Sequence, residues 1–241
     1  MITRLPIVAL TLRTLLSRRR TWLLVLLAAM PVGLVLLATS VGDTRIEGED
    51  LDVMVVSIVL PLIALVFGTS ALGPELEEGT IVYLLTKPVR RFRVVIGKAV
   101  VAAVLTAALV VPSTLLTGLV VESAGTELLR VSAAFAVACV AGGAAYVVLF
   151  VATSAFTRWA LIIGLLYVLI WEGVLADLLP GTETFSIRQA TLAISWGLSG
   201  ERVPFDVGSL DQGLITIGLV LVIGIAVATW RMARYQLRGG D

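Results

Sequence analysis

The chain has 241 residues, of which 59% are hydrophobic and only 15% are charged, and its formal net charge is +1. Soluble domains are about half apolar and about a quarter charged, so much of this apolar surface must face lipid. The near-neutral charge gives no overall field to attract nucleic acid. The absence of histidine excludes histidine-based metal sites and Ser-His-Asp hydrolysis.

Six apolar runs are long enough to cross a bilayer as helices, since about 20 residues at about 1.5 Å each span a hydrocarbon core of about 30 Å. In chain order, they cover Trp22–Val41, Val53–Gly73, Ala99–Val121, Val131–Ala155, Trp159–Leu179 and Leu210–Trp230. The sequence therefore predicts an all-α, multi-pass integral membrane protein with six transmembrane helices in one domain, residues 1–241.

The distribution of basic residues sets the orientation. With the N-terminus inside the cell, fourteen of the eighteen lysines and arginines fall in cytoplasmic segments and four fall outside. Cytoplasmic loops carry an excess of these residues. Both termini are therefore predicted to be cytoplasmic, with residues 231–241 forming a cytoplasmic tail.

The N-terminal segment, residues 1–21, has partial helical periodicity. Apolar residues lie on one side of a helical wheel and basic residues on another, although Ile7 and Leu10 break the pattern. It predicts an amphipathic helix on the inner leaflet. The alternative is a basic extension that only sets topology.

The connection from Pro74 to Lys98 is the most informative cytoplasmic segment. Its 25 residues begin with acids, continue with an apolar middle and end with bases. Acids at a helix start and bases at its end suit the helix dipole. We therefore predict a structured loop that docks on another component.

Glu172 lies in the outer half of the fifth predicted span, and residues 180–209 follow that span outside. An intramembrane acid is a candidate functional residue because its burial is costly. Glu172 either lines a translocation path or caps the outer segment by accepting backbone N–H bonds. The apolar and aromatic content of 180–209 predicts a re-entrant segment rather than a loose loop.

Catalytic motifs are missing. The chain contains no G-x-x-x-x-G-K-[ST] phosphate-binding loop, because Pro74 and Glu75 follow the pair Gly68 and Gly73. The sequence therefore predicts a non-catalytic chain without a cofactor or a metal of its own. An intramembrane enzyme is disfavoured for the same reasons.

The 74–98 loop resembles the loop after the second span of type-2 ABC exporter permeases (the ABC-2 family). That family has a pattern like E-x-x-x-G-T, then L-x-x-P-V-x-R, then G-K. This chain has Glu75 to Thr80, Leu85 to Arg91, and Gly97-Lys98 at the matching positions. The six spans and the long outer segment are also similar. Pro74, directly before Glu75, is a departure from the pattern.

The resemblance implies a plasma-membrane permease that forms the translocation path as a homodimer. Two separate ABC ATPase subunits would bind ATP and magnesium and receive the 74–98 loop as a coupling helix. The implied coupling residues are Glu75, Glu77, Glu78, Gly79, Thr80, Pro88, Arg90, Arg91 and Lys98. The alternative is a non-transporting scaffold or regulatory subunit that recruits a cytoplasmic partner through the same loop.

Overall fold

The computed structural model describes residues 18–40, 52–77, 91–121, 127–178, 183–200 and 208–234. Helices and turns make up these residues, and no strand occurs among them, so the predicted all-α class is confirmed for the described part of the chain. Residues 1–17 of the predicted amphipathic segment, residues 1–21, lie outside the described part of the chain.

The described helices differ widely in length. Helix α1 is Arg18–Ser40, and a π-helical segment, Asp52–Val59, leads directly into α2, Leu60–Glu77. Helices α3 and α4 are Arg91–Val121 and Glu127–Phe156. Helix α5 starts as an α-helix at Ala160–Leu166, continues as a π-helix at Tyr167–Leu175 and ends as an α-helical turn at Ala176–Leu178. A 3-10 turn at Glu183–Phe185 precedes α6, Ile187–Ser199, and α7 is Leu210–Ala233.

Four stretches in the described residues are long and apolar enough to cross a membrane: Val55–Gly73, Phe92–Val120, Arg130–Phe156 and Leu210–Ala233. They coincide with the second, third, fourth and sixth predicted spans. The first and fifth predicted spans correspond to the shorter apolar helices Thr21–Leu37 and Ala160–Leu175. The six-span count therefore stays a prediction.

Helix α3 begins eight residues before the predicted third span. Residues 91 to 98 contain no proline to interrupt the helix, and Val94 and Val95 are buried. Because these side chains pack inside the bundle, the helix extends into the segment assigned from sequence to the 74–98 loop.

Helix α4 lies at the centre of the bundle. It packs against α2, α3, α6 and α7, and its aromatic side chains Phe135, Tyr146 and Phe150 are fully buried. Small residues let neighbouring helices approach closely, which is the main source of packing between helices in lipid. The alanine-rich sequence of α4, with the pair Gly142-Gly143, therefore suits a helix with neighbours on most sides.

Helices α1, α5 and α7 lie at the periphery. Only 17% of the most apolar stretch of α7 is buried, and large apolar side chains project outward from all three helices. On α7 the exposed side chains are Leu214, Ile215, Leu219, Val222, Ile223 and Trp230. Such a surface suits contact with lipid or with another membrane-embedded chain.

Helix α6 is short and deeply packed. Its 13 residues extend about 20 Å, which is too short to cross a hydrocarbon core of about 30 Å. Most of its side chains are buried, between α4 on one side and α7 on the other. Gly200, at a φ of 71°, ends the helix in the left-handed conformation that glycine adopts without strain.

Glycine 142 permits the contact between α4 and α6. A Cβ at this position would lie 2.1 Å from Oγ1 and 2.9 Å from Cγ2 of Thr191. Because both branches of the threonine are too close, rotation of its side chain cannot relieve the overlap. The absence of a side chain at Gly142 therefore lets α6 pack closely against the central helix.

We predict that Gly142→Ala destabilises the protein by about 1–3 kcal/mol, because the added methyl group overpacks this interface. Gly218→Ala is the matched control, since a Cβ at Gly218 meets nothing within 4 Å. Thermal unfolding of the detergent-purified chain measures both variants. Equal melting temperatures would contradict the proposed packing role of Gly142.

Candidate functional site

The carboxylate of Glu172 meets the start of α6. Glu172 belongs to the π-helical part of α5 and is 1% exposed. Its Oε1 accepts hydrogen bonds from the Tyr167 hydroxyl at 2.9 Å and from the Ile187 N–H at 3.0 Å. Its Oε2 accepts from the Ser186 hydroxyl and from the Arg188 N–H at 3.3 Å. Two side chains and two backbone amides therefore share one buried carboxylate.

These bonds complete the hydrogen bonding at the N-terminus of α6. The first amides of a helix have no partner within the helix. Here the Ile187 and Arg188 amides bond to Glu172, the Gln189 amide bonds to the Ser186 hydroxyl at 3.0 Å, and the Ala190 amide bonds to the Ser186 carbonyl. Ser186 is therefore the N-cap, and Glu172 acts as a second cap from another helix.

The electrostatics of this arrangement are favourable. The N-terminus of a helix carries a partial positive charge, which stabilises a nearby anion. The carboxylate is therefore compensated by a helix dipole and by direct donors rather than left alone at depth. Of the two roles expected for Glu172, these contacts favour the capping role, and they leave little acceptor capacity for a passing substrate.

Aromatic rings surround the carboxylate on the side of α4. Phe150 stacks with Tyr146 at a centroid distance of 6.0 Å and meets Tyr167 edge-on at 6.5 Å. Since Tyr146 and Phe150 are fully buried, they shield the site from solvent. Shielding strengthens the bonds that the carboxylate accepts.

The other π-helical segment also reaches the start of α6. Nη1 of Arg188 lies 3.5 Å from Oγ of Ser57, at the outer limit of a hydrogen bond. Ser57 belongs to Asp52–Val59, which leads into α2. Helix α6 is therefore in contact with α5 through Glu172, and with the π-helical segment before α2 through Arg188. Segments of π-helix occur frequently at functional sites.

A small crevice of about 230 Å³ lies beside the first turns of α6 and α7. Its polar lining comes from Thr184, Gln189, Gln212 and Thr216, and no ionisable side chain lines it. It therefore offers hydrogen bonds without charge, and it is separate from the donors that Glu172 uses.

Lys98 is the predicted coupling residue whose side chain the structure describes. It is 2% exposed, and its Nζ donates to the Ala71 carbonyl at 2.7 Å. This bond joins the last turns of α2 to the first turns of α3. Lys98 therefore lies inside the permease rather than on an open cytoplasmic surface.

The other predicted coupling residues are only partly described. Glu75 and Glu77 belong to the end of α2, and Arg91 is the first residue of α3, but their side chains lie outside the described structure. Glu78, Gly79, Thr80, Pro88 and Arg90 lie outside it altogether. The bond from Lys98 to the Ala71 carbonyl holds the last turns of α2 next to the first turns of α3.

Sequence reasoning missed Ser186, although a signal was present. A serine followed three residues later by glutamate or glutamine marks a helix start. The chain has this pattern at Ser186 and Gln189, and again at Ser209 and Gln212. The second pair forms a complete capping box at the start of α7. The pattern at Ser186 would have placed the start of α6 from sequence, and the one at Ser209 agrees with the sixth predicted span, which begins at Leu210.

The family model for the ABC-2 family transporter protein matches residues 5–196. The chain belongs to the ABC-2 family. The resemblance predicted from the 74–98 loop is thus confirmed at the level of the family, and the matched region includes that loop, Glu172 and most of α6. No curated protein is similar enough to the chain to count as a match.

Membership of this family makes the chain an ABC-2 type permease subunit, and such subunits are generally non-catalytic and associate with ABC ATPases in a membrane. Within the described residues, no cluster of histidine, cysteine or acidic side chains could hold a metal ion. The hydrogen bonds that Glu172 accepts are those of a helix cap.

We predict that Glu172→Gln lowers the free energy of unfolding by about 1–2 kcal/mol, because the amide has one acceptor oxygen for donors that now use two. Thermal unfolding of the purified chain measures the loss. Ser186→Ala should cost less, about 1 kcal/mol, because Glu172 still accepts the two backbone amides.

Combining Glu172→Gln with Ser186→Ala distinguishes a capping role of Glu172 from a role in the translocation path. If Glu172 and Ser186 act as one cap, their effects on stability should be less than additive. Substrate transport by folded Glu172→Gln protein should remain close to wild type. A transport defect without loss of stability would favour the translocation-path role instead.

Proposed function

We propose that this chain is the permease subunit of an ATP-driven exporter, in which it forms the translocation path as a homodimer. The observation that carries the proposal is the family match over residues 5–196. ATP and magnesium are bound by two separate ATPase subunits, since this chain has no phosphate-binding loop of its own.

The connection between α2 and α3 is the proposed contact with the ATPase. Helix α2 ends at Glu77 and α3 begins at Arg91, so both helices extend into the segment that carries the family-like motif. The buried bond from Lys98 to Ala71 ties the two helices together next to that segment. Because α2 and α3 are tied together, a displacement of the ATPase at the connection between them can be passed to both helices at once.

The periphery of the bundle supports assembly with a second copy. Helix α1 exposes Trp22, Leu23 and Leu26, and α5 exposes Leu161 and Leu169. These surfaces are apolar enough to face either lipid or another permease chain. In the proposed dimer, part of this surface is covered by the partner permease and the rest faces lipid.

We predict that the tagged chain, purified from its native membrane, recovers an ABC ATPase with ATP hydrolysis activity. A Glu75→Gln, Glu78→Gln and Arg91→Gln triple variant should reduce the recovered ATPase by about tenfold, because charged contacts at the loop are removed. Mass spectrometry and an ATPase assay measure both quantities.

The control changes two charges far from this loop. Arg130 and Asp211 lie at the starts of α4 and α7, away from the α2–α3 connection, so Arg130→Gln with Asp211→Asn should leave ATPase recovery unchanged. A pure preparation without ATPase would count against the permease proposal and favour the scaffold alternative. Equal loss in both variants would show a general charge effect.

We predict that Lys98→Met weakens ATPase coupling while the chain still inserts into the membrane. The methionine fills similar space but cannot donate to Ala71, and a charge-assisted hydrogen bond contributes about 1.5–3 kcal/mol. ATPase recovery and substrate-stimulated ATP hydrolysis should both fall.

Thr106→Val is the matched control for this substitution. Thr106 is also buried in α3, but its hydroxyl bonds to Ala102 within the same helix. Its loss therefore removes a buried hydrogen bond without separating α2 from α3. If Thr106→Val impaired coupling as much as Lys98→Met, the link between the helices would not be the cause.

A further inference from the structure

Three pairs of arginine and aromatic side chains lie where α4 and α7 end and α5 begins. The Arg158 guanidinium is 5.5 Å from the centre of the Trp159 ring, and that of Arg231 is 5.5 Å from the Phe156 ring. The Arg234 guanidinium is 4.3 Å from the Trp230 ring. All three distances are within the range of cation–π attraction.

The three arginines lie at neighbouring positions where α4 and α7 end and α5 begins. Arg231, in the last turn of α7, covers Phe156, the last residue of α4. Arg158 follows Phe156 by two residues, and Arg234 follows Arg231 by about one helical turn. We refer to Arg158, Arg231 and Arg234 as the arginine patch. It lies at the end of the bundle that the charge distribution assigns to the cytoplasm.

The patch carries positive charge without a matching carboxylate in the described part of the chain: the contacts found there for these three arginines are with aromatic rings. The Nε of Arg231 is buried and has no hydrogen-bond partner among the described residues. A guanidinium stacked on a ring still presents N–H groups at its edge, and these fit phosphate oxygens. The chemistry of the patch therefore suits a phosphate.

The surroundings of the patch indicate that this phosphate belongs to a lipid. Trp159 and Trp230 are each about half exposed, and Leu161 and Ile162 project from the start of α5 beside them. Tryptophan and arginine at the end of apolar helices mark the headgroup level of a bilayer. A lipid bound there can place its phosphate on the arginines and its acyl chains on the apolar surface.

We propose that the arginine patch binds the headgroup phosphate of an anionic phospholipid, with the acyl chains lying along the exposed apolar surfaces of α5 and α7. Three positive charges favour a lipid with net negative charge over a zwitterionic one, whose own cation is repelled. Because the site joins the ends of α4 and α7 to the start of α5, the lipid would fasten these three elements at the membrane surface.

Native mass spectrometry of the detergent-purified full chain tests the proposal. Phosphatidylglycerol and phosphatidylcholine with identical acyl chains are added in turn, and retained lipid is counted. The wild type should retain phosphatidylglycerol preferentially. Arg234→Gln should weaken this binding about fivefold, and Arg158→Gln with Arg234→Gln by up to about 25-fold, since each basic residue near an anionic lipid surface contributes about 1 kcal/mol.

Arg93→Gln is the charge-matched control. Arg93 is exposed near the start of α3, which lies at the same end of the bundle. Its removal should leave the preference for phosphatidylglycerol unchanged. The double variant keeps Arg231 on Phe156, and both of its substituted side chains are exposed, so the fold should be retained.

Several results would overturn the proposal. Wild-type binding in the double variant would show that the patch does not hold the lipid, and an equal loss in Arg93→Gln would reduce the effect to general surface charge. Displacement of phosphatidylglycerol by millimolar inorganic phosphate would identify a site for a free anion. Loss of the ATPase from the double variant, with lipid preference intact, would make the patch a protein-docking surface.

Discussion

A backbone N–H without a partner is costly in hydrocarbon, and this constraint governs how α6 is held in the bundle. Helix α6 begins inside the protein, where water cannot satisfy its first amides. The side chains of Glu172 and Ser186 accept from the first three amides, and the next amide, of Ala190, makes the first bond within the helix, to the Ser186 carbonyl. The cost of burying a carboxylate and the cost of burying a helix start therefore offset each other. Neither group would be stable at this depth alone, so the placement of α6 depends on α5.

The same helix also depends on the small residues of its neighbours. Gly142 of α4 admits Thr191, and Gly213 of α7 lies so close to the Ala190 carbonyl that a Cβ would be only 2.7 Å from that oxygen. Close packing and interhelical hydrogen bonds replace the hydrophobic effect as the force between helices in lipid. Polar capping from α5 fixes where α6 begins, and the glycines of α4 and α7 allow it to be buried. Helix α6 is thereby packed as an integral part of the bundle.

Much of the bundle follows from hydropathy, because length and apolar content alone decide whether a helix can cross lipid. The predicted run Val53–Gly73 differs by two residues from the stretch Val55–Gly73. The capping contact of Glu172 could be anticipated because a buried acid needs donors. The identity of its partners was harder to predict. Tyr167 reaches Glu172 only because α5 is π-helical there, and Ser186 is marked only by the capping pattern with Gln189. The burial of Lys98 follows from the packing of α2 on α3, which local sequence does not encode.

Helix α2 and the π-helical segment before it connect the start of α6 with the start of α3. Ser57 of the π-helical segment lies beside Arg188 of α6, and the Ala71 carbonyl in the later turns of α2 accepts from Lys98. These positions are 14 residues apart, or about 21 Å along a helix. The start of α6 and the start of α3 are thus both held against one continuous helical stretch. The π-helical turns at Asp52–Val59 and Tyr167–Leu175 both contact the start of α6, through Ser57 and Glu172, and π-helical turns occur frequently at functional sites. The N-terminus of α6 is therefore joined both to α5 and to the helical stretch that accepts the bond from Lys98.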